Sequence, residues 1–543
     1  MTMILEKLVK LLICPVCNGS LTATQVRLEC DNCDQQYPML EGIPLLANNM
    51  DFYYGEIPRE KMEAVLDNKG GGSIVDRLTE ETAGKWVSKY ALSKERCVLK
   101  LLVDTDHCST ALDLGSGWGN LSIAIAESVG QVVAADLSAL RVRFLARRCS
   151  EERVSNVACI CLGDGDKLPF RSNSFDMVVL NGVLEWVPES IPGNPREVQK
   201  MYLAEVLRIL KPGGQLFVGI ENRFGYGYLM GRREDHTYLR FGAVLPRTLA
   251  NIYSLWKRRK PYRTYTYSKN GYKRLLKEAG YQNINIYGAW PDYREPQVMG
   301  DTNSQSGMSA VFNRTPIGIT GKPRKLLTLA GKTKFAGMLV PSFMIVASPT
   351  DNLRACLIEN ARETLGSFAK LLWLAHNAGF GGIVACLQTK DGDVIARTAF
   401  NDSMEERCRR NYTSLKFIAS RMEEPFRAKI PTPIGVSRVL DRFISYETRL
   451  PGLPATQASN LRRLDLYFKQ THEFLRSMHS AAGNGTSEPT CESDMHKKEF
   501  LQTWLKGIQE MFISITGTEF PHEIIQTVLN HPDLDKVHLG RIH

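Results

Sequence analysis

The chain has 543 residues, of which 43% are hydrophobic and 23% are charged, and its formal net charge is +10. This length exceeds what one compact core holds and predicts two to four domains. The composition is that of a globular protein, and no apolar run approaches the roughly 20 residues that span a bilayer, which excludes stable membrane insertion.

The N-terminus and the cysteines predict a cytoplasmic protein. The first 17 residues lack the continuous apolar core and the cleavage site of a signal peptide. The 13 cysteines are an odd number and only four of them are regularly spaced, which disfavours a secreted disulfide framework. The positive charge is compatible with anionic partners such as nucleic acid or phosphorylated sugars.

Residues 1–50 contain two Cys-x-x-Cys pairs, twelve residues apart. The pairs are Cys14 with Cys17 and Cys30 with Cys33. Four thiolates at this spacing satisfy tetrahedral zinc, and a closed shell of four cysteines is structural. A redox pair explains one such motif but not two. We therefore predict a zinc ribbon whose metal supplies folding energy.

Residues 51–100 are polar and predict a helical connector, whereas residues 101–314 alternate short apolar runs with amphipathic stretches. Such alternation predicts βα units and a parallel sheet, hence an α/β fold. We expect a seven-stranded Rossmann-like sheet, with a long insertion at 221–280 and these strands: Thr110–Leu114, Gln131–Ala135, Val157–Leu162, Phe175–Leu180, Gln215–Ile220, 283–290 and 309–314.

The first of these strands continues into the sequence DLGSGWG at 113–119. Gly115, Gly117 and Gly119 let the backbone approach a ligand closely because they have no Cβ. Dinucleotide-binding enzymes also use glycine loops, but Asn120 stands where their third glycine is expected. Asp113 adds an acidic group for the cationic amino acid part of a ligand.

Further polar residues follow the later strands. Asp136 ends the strand QVVAAD, where a carboxylate accepts hydrogen bonds from both ribose hydroxyls. Asp164 follows the third strand, where it suits an adenine amino group, and Asn181 follows the fourth. Together with LPFRSNSFDMVVLNGVLEWV and LRILKPGGQLFV, these residues resemble the class I methyltransferase family. The resemblance implies S-adenosylmethionine as the cofactor, with Asp113 and the glycines at its methionine end.

The residues that follow the fourth and fifth strands bear on the methyl acceptor. The sequence NGVLEW at 181–186 lacks the Asn/Asp-Pro-Pro-aromatic motif of amide and exocyclic-amine methylases. Glu185 is either a general base or a support of the cofactor pocket. The insertion contains His236, which suits a general base near neutral pH, among these charged residues: Arg223, Arg232, Arg233, Glu234 and Asp235. A solvated lid without a catalytic residue is equally compatible.

Two acceptor classes follow from these segments. The insertion, with GYKRLLKEAGYQNINIYGAWPDYREP after it, resembles bacterial methyltransferases associated with surface polysaccharide assembly, which implies a small-molecule or glycan-linked acceptor. The basic and aromatic cluster at 256–267 is compatible with RNA binding. Residues 37–46, YPMLEGIPLL, make the N-terminal segment similar to zinc-ribbon activators of translation-apparatus methyltransferases, which favours the RNA alternative.

Residues 315–350 predict a linker, and 351–543 a further α+β domain. A hairpin turn is expected at Asp391-Gly392 and a helix near 404–421. This order resembles the small lobe of aminoglycoside-phosphotransferase-like kinases, with Arg397 at the position of the nucleotide-contacting lysine. The expected His-Gly-Asp loop is missing, and His543 would be its first residue. Without the catalytic Asp and the metal ligands we expect no kinase activity.

Overall fold

The computed structural model of the protein describes residues 3–451 except the following: 47–52, 54, 68–70, 83–85, 94, 106–109, 164, 166, 314–328, 334, 352, 378–380, 423, 425 and 426. The chain divides into two compact units. The first consists of Met1–Thr315, Lys325–Arg409 and Pro433–Arg449, and the second of Pro316–Arg324, Arg410–Thr432 and Leu450–His543.

All strands in the described part of the chain lie in the first unit. In chain order they are β1 Leu21–Ala23, β2 Arg27–Cys30, β3 Gln36–Leu40, β4 Ile43–Leu46, β5 Thr110–Leu114, β6 Gln131–Asp136, β7 Val157–Leu162, β8 Phe175–Asn181, β9 Leu210–Glu221, β10 Asn283–Trp290, β11 Val298–Asp301, β12 Ser342–Ser348, β13 Ala369–Asn377, β14 Gly382–Thr389, β15 Gly392–Ala399, β16 Pro433–Val439 and β17 Arg442–Thr448.

The α-helices flank and connect these strands. They are Met3–Leu11, Arg59–Leu66, Ile74–Glu81, Trp86–Leu92, Asn120–Ala126, Ala139–Glu151, Val187–Ser190, Pro195–Ile209, Tyr226–Leu229, Arg247–Arg258, Lys269–Glu278, Gln305–Asn313, Ala336–Leu339, Cys356–Leu365 and Asp402–Arg421. Short 3₁₀ helices occupy Glu95–Leu101 and Arg427–Lys429. None of these helices is long and apolar enough to cross a membrane.

Seven strands form the mixed sheet that carries the glycine-rich loop, in the order β7-β6-β5-β8-β9-β12-β10. The first five are parallel, whereas β12 runs antiparallel to both β9 and β10. The strands β6 and β7 are almost entirely buried, as expected for a parallel sheet covered by helices on both faces. The predicted α/β class and the strands near 110–220 and 283–290 are confirmed.

The prediction of a strand near 309–314 is wrong. Residues Gln305–Asn313 form a helix, in which Met308, Val311 and Phe312 are buried at helical spacing. The seventh strand of the sheet is β12, whose seven residues are all buried. The domain boundary predicted at residue 314 therefore excludes β12 from the sheet to which it belongs. The linker predicted at 315–350 contains this strand.

The N-terminal segment is attached to one edge of the sheet. Strands β1, β2 and β3 pair in antiparallel fashion, and β4 pairs in parallel with β7 through Leu45 and Leu46. The backbone N–H of Ile13 donates to the Pro169 carbonyl, and Arg171 donates to the hydroxyl of Ser20. These hydrogen bonds connect the N-terminal segment to the residues that follow β7.

Beyond β10 the sheet continues through β11, β13, β14, β15, β17 and β16. The hairpin expected at Asp391-Gly392 joins β14 to β15, and the helix expected near 404–421 spans Asp402–Arg421, so both predictions are confirmed. The kinase resemblance stays a prediction, and His543 lies outside the described residues.

Candidate functional site

A cleft opens where the carboxyl ends of β5, β8 and β9 meet. Strand β5 has β6 on one side and β8 on the other, and such a switch point is where open α/β sheets bind ligands. The cleft is lined by Glu56, Tyr90, Asp113, Gly115, Ser116, Gly117, Trp118, Asn120, Leu121, Arg141, Asn181, Gly182, Trp186, Glu221, Asp235, His236, Tyr293 and Arg294.

The glycine-rich loop lines one side of this cleft. Gly115, Gly117 and Gly119 all have positive φ, at 81°, 54° and 81°. A Cβ at Gly119 would lie 2.0 Å from Cδ1 of Leu145, and one at Gly115 would lie 2.4 Å from Cγ2 of Val183. Glycine is therefore required for the backbone conformation and for the packing.

Two of the predicted carboxylates lie beside this loop. The carboxylate of Asp136 accepts hydrogen bonds from the backbone N–H of Gly117 at 2.8 Å and from that of Ser138 at 2.9 Å. Asp113 is buried, and the hydroxyl of Ser122 donates to its Oδ2 at 2.6 Å. These bonds fix both carboxylates at the strand ends.

Of the two other predicted cofactor residues, Asp164 lies outside the described residues, and Asn181 lines the cleft at the end of β8. The next residue, Gly182, has a φ of 74° and donates its N–H to the carbonyl of Gly219. This turn directs the chain after β8 along the cleft.

Sequence reasoning missed residues that reach the cofactor loop from the connector and the following helix. The carboxylate of Glu56 accepts a hydrogen bond from the indole N–H of Trp118 at 2.9 Å and pairs with Arg141. The guanidinium of Arg141 lies 5.3 Å from the Trp118 ring centre. Burial opposes the charge of Arg141, but Glu56 and Asp136 outweigh burial and raise its pKa.

At the other end of the cleft, Glu185, Glu221 and His236 converge. The Nε2 of His236 lies 3.4 Å from Oε2 of Glu221 and 4.0 Å from Oε1 of Glu185. Glu185 is fully buried, and the side chain of His236 is 5% exposed. The structure thus brings together the two predicted catalytic candidates, and it adds Glu221, the last residue of β9, which sequence reasoning missed.

The charges of this cluster are strongly coupled. Burial and the neighbouring Glu221 raise the pKa of Glu185 to about 8. Burial opposes ionisation of Glu221 and His236, but their mutual attraction outweighs it, lowering the pKa of Glu221 to about 2 and raising that of His236 to about 9. The neighbouring carboxylates thus favour the charged form of His236.

Four of the five other charged residues predicted in the insertion have structural partners. Glu234 accepts hydrogen bonds from Thr237 and Tyr262, and Arg223 donates to the carbonyl of Leu245. Asp235 pairs with Arg232 and Arg294, whereas Arg233 is exposed.

The tyrosines of the basic cluster at 256–267 pack around a neighbouring arginine, whereas Trp256 of the same cluster is exposed. Tyr262, Tyr265 and Tyr267 surround the guanidinium of Arg247 at 4.1 to 5.7 Å. Tyr262 is 2% exposed. These rings are therefore used in packing and are poorly placed to stack on nucleotide bases.

The four N-terminal cysteines form a second cluster. The Sγ atoms of Cys14 and Cys33 are 3.8 Å apart, those of Cys17 and Cys30 are 3.4 Å apart, and all four lie within 4.8 Å of one another. Zn–S bonds of about 2.3 Å in a tetrahedron place sulfurs about 3.8 Å apart. The donor set and its separations fit structural zinc.

Part of the sheet and its cleft is similar to known proteins. Residues 112–218 match the family model described as a methyltransferase domain. This part of the chain is therefore similar to a methyltransferase domain. The match begins in β5 and ends in β9, so it includes the glycine loop, Asp136 and Asn181.

The curated relatives cover only part of the chain. A demethylmenaquinone methyltransferase of Symbiobacterium thermophilum is 31% identical over 31% of this chain and 63% of its own length. One from Lactiplantibacillus plantarum is 30% identical over 19% of this chain and 42% of its own. Phosphoethanolamine N-methyltransferase 1 of Triticum aestivum is 23% identical over 30% of this chain and 31% of its own length. The chain thus spans less than two thirds of each relative.

Among solved structures, the chain is similar to an S-adenosylmethionine-dependent methyltransferase from Aquifex aeolicus. The identity is 16%, the TM-score is 0.26, and the likeness covers 40% of this chain and 90% of the other. The fold is defined here by the strand order itself.

Proposed function

We propose that the protein transfers a methyl group from S-adenosylmethionine to a small-molecule acceptor. The observation that carries this proposal is the fixed loop at 113–119, beside Asp136 and within the residues that match the methyltransferase family. Asp113, Gly115 and Gly117 contact the methionine end, Asp136 the ribose hydroxyls and Asp164 the adenine. Gly119 shapes the loop.

The acceptor binds at the end of the cleft that Glu221, His236 and Arg294 line. This region is buried and contains charges of both signs, so it suits a compact polar group better than an extended polymer. The names of the relatives refer to demethylmenaquinone and phosphoethanolamine, which favours a small molecule over a polymer as the acceptor. Asn181 lies between the two ends of the cleft, where it positions the methyl donor against the acceptor.

The two more specific acceptor classes stay predictions with different support. A glycan-linked acceptor depends on the resemblance of the insertion alone. RNA binding loses part of its support, because the tyrosines at 262–267 pack on Arg247, although Trp256 is exposed. Zinc in the ribbon stabilises the edge of the sheet through β4.

Transfer from methyl-labelled S-adenosylmethionine to separated cell fractions tests the proposal. The purified full chain is incubated with small metabolites, with glycans and with RNA, each in parallel with heat-inactivated chain. We expect label in the small-metabolite fraction. Label that enters RNA alone, or no cofactor binding by the intact chain, would overturn the proposal.

A further inference from the structure

Three metal-ligating side chains from distant segments meet at the acceptor end of the cleft. Glu185 follows β8, Glu221 ends β9, and His236 lies in the insertion. One ligand atom from each lies within 4.8 Å of the other two.

The atoms that face one another in this cluster lack hydrogen bonds. Both carboxylate oxygens of Glu185, Oε2 of Glu221 and Nε2 of His236 are buried without a hydrogen-bond partner in the described part of the chain. The other oxygen of Glu221 accepts from the hydroxyl of Tyr293 at 3.2 Å. Buried polar atoms nearly always have partners, and an unsatisfied charged group is costly. Nε2 of His236 lies at ion-pair distance from both carboxylates. Four buried atoms without a hydrogen bond in one place nevertheless indicate a ligand that satisfies all of them.

We propose that Glu185, Glu221 and His236 bind a divalent first-row transition metal ion. Bonds of about 2.1 Å to nitrogen and oxygen ligands in a tetrahedron place neighbouring ligand atoms about 3.4 Å apart. The separation of Nε2 from Oε2 of Glu221 is 3.4 Å, and that from Oε1 of Glu185 is 4.0 Å. A mixed imidazole and carboxylate set suits manganese, iron or zinc better than calcium.

The ion would face the methyl acceptor. Glu221 and His236 line the same cleft as the glycine loop, whereas Glu185 lies behind them and is fully buried. Three protein ligands leave coordination positions open toward the cleft, as in catalytic metal sites. An oxygen of the acceptor, from a hydroxyl, carbonyl or phosphate group, would take an open position. This role rests on the proposed methyl transfer, whereas binding of the ion does not.

Binding of Mn²⁺ to the full chain tests the site. Manganese is the probe because four thiolates favour zinc over it, so the ribbon does not contribute. Electron paramagnetic resonance with equilibrium dialysis should show one bound Mn²⁺ per chain. Relaxation of water protons should increase, because open positions hold exchanging water. Glu185→Gln and His236→Gln should each weaken Mn²⁺ binding at least about tenfold.

Glu189→Gln is the matched control, because Glu189 lies four residues from Glu185 and is exposed. It should bind Mn²⁺ as the parent chain does. Calorimetry with S-adenosylhomocysteine monitors folding of all variants and tests the cofactor site separately, so the two proposals can fail independently. No binding at millimolar Mn²⁺, or binding that neither Glu185→Gln nor His236→Gln weakens, would overturn the metal site.

Discussion

The backbone N–H of Gly117 donates a 2.8 Å hydrogen bond to Oδ2 of Asp136, which links the glycine loop after β5 to the end of β6. The Ser138 N–H donates to the other carboxylate oxygen. The same carboxylate thus shapes the loop, and it is the group that we propose for the ribose hydroxyls.

Asp136→Ala should therefore weaken binding of S-adenosylmethionine about tenfold or more, because a hydrogen bond to a charged group contributes roughly 1.5–3 kcal/mol. Isothermal titration calorimetry on the full chain measures the change. Asp391→Ala, in the exposed turn between β14 and β15, is the control and should bind normally. Equal affinity of the two variants would remove Asp136 from the cofactor site.

These carboxylates were predictable because they follow apolar strands directly in the sequence, and the carboxyl ends of parallel strands share one edge of a sheet. Glu56 was not predictable in the same way. Its pairing with Arg141 joins residues 85 positions apart and depends on how the connector packs. Strand β12 was missed because the residues before it, including the helix Gln305–Asn313, offered an earlier apolar run. Glu221 carried one signal, an acidic residue at the end of a buried strand.

The glycine loop also leads to a prediction about packing around Gly119. Gly119→Ala should destabilise the protein more than Gly366→Ala, although both glycines have positive φ. The backbone strain costs on the order of 1–3 kcal/mol in each. At Gly119 the new Cβ also meets Leu145 at 2.0 Å, whereas nothing lies within 4 Å at Gly366. Overpacking of this kind adds about 1–3 kcal/mol. Thermal unfolding compares the two variants, and equal melting temperatures would contradict the prediction.

The cysteine cluster predicts a metal-dependent ribbon. Cys17→Ser should remove about one equivalent of zinc per chain, because three thiolates no longer close the tetrahedral shell. The N-terminal segment should then become sensitive to protease, since the metal supplies its folding energy. Metal analysis and limited proteolysis measure both effects. Cys356→Ser, at a cysteine that contacts Thr105, is the control. Unchanged zinc in Cys17→Ser would rule out the ribbon site.

The kinase-like region should neither hydrolyse ATP nor transfer phosphate. Arg397, at the position of the expected nucleotide-contacting lysine, forms an ion pair with Glu447 at 2.8 Å. This ion pair joins β15 to β17, so Arg397 is used inside the sheet, whereas phosphoryl transfer needs such a residue at the nucleotide. A coupled assay for ADP on the full chain tests this, with Asp136→Ala as a variant that leaves this region intact. Hydrolysis above the blank would contradict the prediction.

The lowered pKa of His376 leads to a prediction of how the free energy of unfolding depends on pH. Its imidazole is buried at the end of β13, packs against Phe400, and burial lowers its pKa from 6.5 to about 4. Between pH 6.5 and 4 the unfolded chain therefore binds a proton that the folded chain does not. The contribution of His376 to the free energy of unfolding is fully present above pH 6.5 and is lost as the pH drops through this window, by at most about 3.4 kcal/mol.

Replacement of His376 isolates this contribution. His376→Gln removes the titrating group, so its urea midpoint should fall less steeply than that of the parent chain between pH 6.5 and 4. A loss of packing in the variant would lower its urea midpoint at neutral pH without changing this difference. The relevant quantity is the difference in slope, because other groups titrate equally in both proteins. Parallel pH profiles of the two proteins would show that His376 binds a proton as readily in the folded chain as in the unfolded one.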